Sequence, residues 1–378
     1  MVHTTAQATP ARREIELDFI RGLAILLVLD FHSPNPILLK PFLLLGWPHF
    51  GWVGVDIFFV LSGFLIGGLL VKERKLRGEI DTKRFLVRRG FKIWPQYYFF
   101  LLAMLVTDHR SVHELWGNLL NIQNYVGGVA HTWTLAVEEQ AYILLVFILA
   151  FATHRFVRMK TLFVGMGLAS CSIVIWCFVL ASRGINTFTR TDTRVDGIFD
   201  GVMLAMLYHH SPQIFRRMQS YTWIWISGLL LMLGLFRLDF HVWWWPPLSY
   251  GLADAGGVAI LLLLYDKKKH QKRPAIYRLV AWIGLYSYGI YLWHVSVISP
   301  ILAATPYIPF PLVTLWRYLA PYLSGIAVGI LTTRLIEFPS LKLRDRLFPR
   351  RIDSAVGIPA KTEQTFNLRH DPNKSCHP

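Results

Sequence analysis

Residues 51–71 read GWVGVDIFFVLSGFLIGGLLV, and residues 72–92 continue KERKLRGEIDTKRFLVRRGFK. The first stretch carries one charge, Asp56, across 21 residues. As a helix it is long enough to cross a hydrocarbon core of about 30 Å, which needs roughly 20 apolar residues. The second stretch holds nine Lys and Arg. Cationic segments stay on the cytoplasmic side of a membrane, so this boundary gives direction as well as class. The run enters from the outer face and leaves into the cytoplasm.

Working outward, nine further apolar runs follow the same logic: 17–34, 90–107, 133–153, 161–182, 195–209, 221–237, 247–265, 279–300 and 314–336. The run at 195–209 is short and contains Asp196 and Asp200. An amphipathic segment at 113–126 is expected to lie at the interface or to re-enter the membrane. The predicted fold is an all-α, polytopic membrane helix bundle of about ten transmembrane helices, with N and C termini cytoplasmic. Charge placement agrees with that map. Of the 39 Lys and Arg, 30 fall in or beside segments assigned to the cytoplasm, five in outer segments and four within helices. A single missed helix would invert every later loop. Residues 1–16 are read as a cytoplasmic N-terminal segment, 17–345 as the membrane domain, and 346–378 as a polar, disordered cytoplasmic tail.

Composition excludes other classes. The chain is 54% hydrophobic and 16% charged, with a mean hydropathy of +0.40; soluble domains carry about 25% charged residues. Its 14 Trp suit many membrane–water interfaces. The formal charge of +16 is spread over short loops rather than gathered on a soluble face, so no nucleic-acid partner is expected. Three Cys are too few for a disulfide framework. No cleavable signal peptide is evident, and the first run reads as an uncleaved helix.

Ionisable residues inside membrane helices are costly and mark functional sites. Arg21 and His32 stand eleven residues apart on the first run. At about 100° per residue they share a face, separated by about 16 Å along the axis. Arg21 lies near the cytoplasmic end, close enough to Asp18 to pair with it, and His32 near the outer end; Asp30 points elsewhere. Ser62, Gly63, Gly67 and Gly68 on the second run permit close helix packing. Topology brings His32, Asp56, Glu138, Glu139 and His294 to a similar outer depth. Glu138 and Glu139 point about 100° apart, so one of them is expected to face the site. Arg84, Arg88, Arg89 and Lys92, with Arg21 and Arg334, form a basic cytoplasmic mouth suited to a phosphate-bearing anion. Plainer readings stand beside these. Arg88, Arg89 and Lys92 also serve orientation and contact with anionic lipid. Asp56 also reads as a helix-start residue, and Arg194 and Asp196 as a local ion pair. The Trp243–Trp245 run reads as an interfacial belt, and Lys267–Lys269 as a solvated loop.

Five blocks follow one another: LDFIRGLA (17–24) followed by His32, GVDIFFVLSGFL (54–65), RRGFKIWP (88–95), WTLAVEEQAY (133–142) and SYGIYLWH (287–294). Taken together, in that order, they resemble acyltransferase family 3, the membrane O-acyltransferases. TRVDG (193–197) and EFP (337–339) agree more weakly. The resemblance covers residues 15–345. It implies transfer of an acyl group, commonly acetyl, from a cytoplasmic donor such as acyl-CoA to a hydroxyl. The acceptor is a carbohydrate, a lipid-linked glycan or a small natural product. It implies that Arg21 and His32 match the family's arginine–histidine motif and that Arg88 and Arg89 match its paired-arginine motif. Lys92 stands where an arginine is more usual, and Thr134 and Ala136 where serines are. Some members add a soluble domain after the last helix; here the membrane domain is expected to perform the whole reaction.

The expected roles follow. His32 acts as general base or acyl carrier, oriented by Glu138, Glu139 or Asp56. Arg21, Arg88, Arg89 and Lys92 bind the donor. His294, Arg194, Asp196 and Trp133 contact the acceptor. No metal is expected, and the inner (plasma) membrane is the expected location. A transporter or flippase of a lipid-linked saccharide is the competing class, and a catalytically dead scaffold a third.

Overall fold

The computed structural model describes residues 14–34, 50–107, 111–238, 241–266, 273–309 and 311–349. The tail expected to be disordered, apart from its first residues, and the Lys267–Lys269 loop lie outside the described residues. Among the described residues there is no strand, and every one of the ten apolar runs is occupied by helix. The helices are α1 (Ile15–His32), α2 (Val53–Arg77), α3 (Thr82–Thr107), α4 (Val112–Leu119), α5 (Gln123–Val126), α6 (Trp133–His154), α7 (Met159–Ser182) and α8 (Asp196–His210). They continue as α9 (Pro212–Ser220), α10 (Thr222–Leu238), α11 (Trp245–Leu264), α12 (Ala275–Leu285), α13 (Ser287–Ala303), α14 (Leu312–Thr332) and α15 (Phe338–Leu347).

Length and composition alone qualify five helical segments to cross a membrane: Val53–Arg77, Ala130–His154, Met159–Ser182, Trp245–Leu264 and Leu312–Leu347. Joining Pro212–Ser220 to Thr222–Phe236 across their 64° bend makes a sixth. The remaining runs are shorter, more charged or broken. Asp18, Arg21 and Asp30 interrupt α1, and α8 has 15 residues, or about 22 Å at 1.5 Å per residue. The run 279–300 is not one helix: Tyr286, at φ −101° and ψ 8°, separates α12 from α13. The run 314–336 continues past its expected end through a π-helical turn, Thr333–Glu337, into α15. The segment 113–126 forms α4 and α5, with Ser111 and Glu114 closing a capping box at its start.

Local chemistry sets the helix ends. α2 stops at Gly78, whose φ of +71° is left-handed and whose amide bonds Arg74 O. α3 restarts four residues later, where Asp81 Oδ1 accepts from the Arg84 amide at 3.0 Å. Small residues then set how close the helices lie. A Cβ at Gly63 would sit 2.0 Å from Ile198 O, and one at Gly201 would sit 2.0 Å from Val60 O. α2 and α8 therefore touch backbone to backbone, as the glycines of the second run predicted. α13 packs along α14, and α12 along α1, in the same extensive way. The least buried of the five membrane-length segments is α7, with 17% of its apolar window buried.

Candidate functional site

Two cavities flank α1. The larger, about 670 Å³, falls within the range of sites that hold small ligands. Its wall begins at the start of α1 (Glu14, Arg21) and the ends of α2 and α8 (Lys72, His209). It passes Arg89, Lys92 and Glu337 and reaches Thr134, Glu138 and Tyr291. The smaller pocket lies at the other end of α1, against Phe31, His32, Ser33, Ile298 and Ser299. Arg21 and His32 thus address different cavities from the two ends of one helix.

Arg21 Nη1 bonds Asp18 Oδ1 at 3.0 Å, as their spacing predicted. Arg89 Nη2 donates to Tyr142 Oη at 2.6 Å, stacks 4.2 Å over that ring and stands 4.0 Å from Glu138 Oε2. Lys92 pairs with Glu337. Arg88 is different. It donates to Asp345 Oδ1 at 2.9 Å and to the Phe348 carbonyl, tying α15 to α3, and it is absent from the cavity wall. Of the expected donor-binding set, three residues line the cavity and one is a strap. Lys72 and His209 join them on the wall. No pattern in the sequence set these two apart, because they stand at the ends of separate helices.

The carboxylates do not orient His32. Glu138 accepts from Ser62 Oγ at 2.8 Å and from Tyr142 Oη at 2.6 Å, and it lines the large cavity. Glu139 turns away and accepts from Trp94 Nε1 at 3.1 Å. Adjacent residues on a helix face different ways, so one Glu lines the cavity and the other packs behind it. Asp56 is fully buried and paired with Arg194. The partners of His32 are instead Val28 O, 3.0 Å from Nδ1, and His294 Nε2, 3.3 Å from Nδ1.

The four residues expected to contact the acceptor are all buried, with exposures of 0% for His294, 2% for Arg194, 5% for Asp196 and 8% for Trp133. None lines either cavity. The Arg194 guanidinium lies 4.0 Å from the Tyr250 ring centre, with Trp133, Phe59 and Phe188 around it. It joins α2 to the start of α8 through Asp56, not through its sequence neighbour Asp196. Burial of a charge requires a partner and a polarisable surround, and this cage supplies both.

Between the cavities lies a layer that sequence reasoning missed. Tyr291 Oη accepts from Thr134 Oγ1 at 2.6 Å and donates to the His131 carbonyl. His131 Nε2 sits 3.0 Å from Leu292 O, and its ring centre is 5.5 Å from that of His294. Tyr291 and Thr134 stand within the quoted sequence blocks, but their polar atoms meet only when α6 and α13 dock. Among the described residues no group of three or more His, Cys, Asp or Glu is arranged to hold a metal ion.

Comparison with known proteins adds to the geometry. Residues 14–334 match the family model described as "Acyltransferase domain". The chain is 26% identical over 364 residues to a peptidoglycan O-acetyltransferase of Listeria monocytogenes, covering 86% of this chain and 55% of that protein. It is 26% identical over 315 residues to a putative O-acetyltransferase of Staphylococcus aureus, covering 75% and 50%. An O-acetyltransferase of Staphylococcus aureus matches at 26% over 359 residues, covering 86% and 57%. The chain spans about half the length of these relatives. No solved structure matches.

Proposed function

This chain belongs to the acyltransferase domain family, and from that premise we propose that it is a multi-pass membrane O-acetyltransferase. The donor is a cytoplasmic acyl-CoA, in the first instance acetyl-CoA. The acceptor is a hydroxyl of a carbohydrate, free or carried on a glycan or lipid, at the outer face. The observation that carries this reading is the cavity lined by Arg21, Lys72, Arg89 and Lys92 that reaches Tyr291, one layer from His294 and His32. Its cations suit the phosphates of a CoA donor. Its inner end, at Thr134 and Tyr291, suits the acyl-bearing arm. The glycan acceptor is supported by the Listeria relative, whose name specifies peptidoglycan.

For the reaction, the acyl-bearing arm passes the Thr134–Tyr291 layer to the outer pocket that His32 lines; there the acceptor oxygen bonds to the thioester carbonyl carbon while His32 Nε2 takes its proton. The C–S bond then breaks, and the departing thiolate takes up the proton as CoA thiol. A covalent acyl-His32 intermediate is the two-step form of the same transfer. Ten membrane crossings with both termini cytoplasmic, in the inner membrane of the cell, complete the proposal. They are supported by the distribution of Lys and Arg and by helix in every apolar run.

The test is purified protein in lipid with radiolabelled acetyl-CoA and a soluble glycan acceptor. CoA release coupled to acceptor labelling is expected, with loss of both in His32→Ala. Retained transfer in that variant rules out both roles for His32. Translocation of a lipid-linked saccharide without CoA turnover would instead identify a transporter.

A further inference from the structure

We propose that His294 is a positioning residue for His32: with Val28 O it shares the hydrogen bond from His32 Nδ1–H, and so favours the tautomer whose Nε2 is unprotonated for the reaction. This rests on the reading of His32 as the base.

His294 Nδ1 lies 2.7 Å from Tyr291 O. A carbonyl oxygen only accepts, so the nitrogen facing it carries the proton. In a neutral imidazole the other nitrogen then holds a lone pair. That nitrogen, His294 Nε2, is 3.3 Å from His32 Nδ1. His32 Nδ1 also faces a carbonyl, Val28 O, at 3.0 Å. Both neighbours of Nδ1 are therefore acceptors, and one N–H shared between them satisfies the set. Nε2 of His32 is left as the acceptor nitrogen, on a residue that lines the outer pocket. This is the state a general base needs before it meets a hydroxyl.

The packing holds the pair in this arrangement. His294 is fully buried. The His131 ring flanks it at 5.5 Å, and a Cβ at Gly325 on α14 would come within 3.3 Å of its Cβ. The two rings meet at 73° with centres 4.9 Å apart, an edge-to-face contact that leaves His294 little freedom to rotate. His131 uses its own Nε2 on Leu292 O, so it buttresses the layer instead of competing for His32.

The test compares His294→Gln with His294→Leu, which are close in size; only Gln offers an oxygen to accept from His32 Nδ1–H. With acetyl-CoA and a soluble glycan acceptor, Leu is expected to lower kcat on the order of 100-fold, within the contribution of one positioned base. KM for donor and acceptor should change less than about threefold, and Gln should keep at least about a tenth of wild-type kcat. His32→Ala with His294→Leu should be no slower than His32→Ala alone. In ¹⁵N-histidine spectra, Leu should raise the Nε2–H population of His32 in part, since Val28 O still accepts from Nδ1–H, and Gln should keep the wild-type population, a pattern that lost packing alone would not produce. Equal kcat for wild type and Leu, or equal loss in Gln and Leu, would overturn the proposal. An active His32→Ala variant would remove the base reading itself, and is distinguished by its own assay.

Discussion

Arg194 reaches 138 residues back along the chain to Asp56 and pairs with it where both side chains are 1% exposed. The pair fastens the start of α8 to α2, about two helical turns, or roughly 10 Å, along the same helices from the backbone contact at Gly63 and Gly201. Removing one partner leaves the other charge buried without its ion pair, which costs about 3–5 kcal/mol. Arg194→Ala should therefore lower the thermal midpoint of the protein in detergent by several degrees or abolish expression. Arg194→Ala combined with Asp56→Ala should be less damaging than the sum of the single changes. Additive effects in a double-mutant cycle would show that the pair is not coupled.

The α2–α8 contact makes a second prediction. Gly201→Ala places a methyl group against Val60 O at 2.0 Å, and overpacking of this kind costs about 1–3 kcal/mol. Gly228 in α10 has nothing within 4 Å of the same methyl position. Gly228→Ala should be neutral or slightly stabilising, because Ala is the better helix former by about 1 kcal/mol. Thermal midpoints of the two variants, measured side by side, check the contrast. An equal fall in both would show that the close approach does not matter.

The basic residues separate by role. Arg89→Ala and Lys92→Ala should raise the KM for acetyl-CoA roughly 10-fold or more, since a charge-assisted hydrogen bond is worth about 1.5–3 kcal/mol. Arg88→Ala should leave that KM within about twofold and instead loosen α15, which it holds through Asp345 and Phe348 O. Donor titrations read the first effect. Hydrogen exchange over residues 338–347 reads the second. A donor-binding defect in Arg88→Ala would return Arg88 to the cavity wall.

Acid should open the loop before α8. Burial alone would raise the Asp192 carboxyl, but hydrogen bonds from Arg190, Trp176 and Tyr125, with the Arg190 charge, outweigh it and hold the group below its usual 3.8. A carboxyl lowered in the folded state contributes stability above its unfolded value, and that contribution is lost as pH falls through the folded value. Hydrogen exchange at residues 187–193 should therefore be constant from pH 7 to about 4 after correction for intrinsic rates, and should accelerate below that. Asp192→Asn should remove the acid-dependent step. Persistence of the step in the variant would assign it to another group.

Much of this molecule was legible in one dimension. The helices, the close approach at Gly63, the Asp18–Arg21 pair and the divergence of Glu138 from Glu139 follow from apolar run length and from 100° per residue. Other features were not legible. The break at Tyr286 lies within a run that carries no Asp, Glu, Lys or Arg and no proline before Pro300. The strap from Arg88 to Asp345 spans 257 residues. His32 was expected to meet a carboxylate, because three carboxylates share its expected depth. Depth is only one coordinate, and Asp56, Glu138 and Glu139 are each turned to a different partner.

What the sequence determined by itself is therefore local and additive: which segments are apolar enough to be helix, where charge interrupts them, and which residues share a helix face. What only the tertiary structure decided is rotation and pairing. It put His294 rather than a carboxylate against His32, and it gave Arg194 to Asp56 and Arg88 to α15. The physical reason is that a helix turned by one residue about its axis keeps its hydropathy and length but points every polar side chain elsewhere. That rotation is set by where small residues let backbones touch, a property of two helices together that neither sequence segment contains alone.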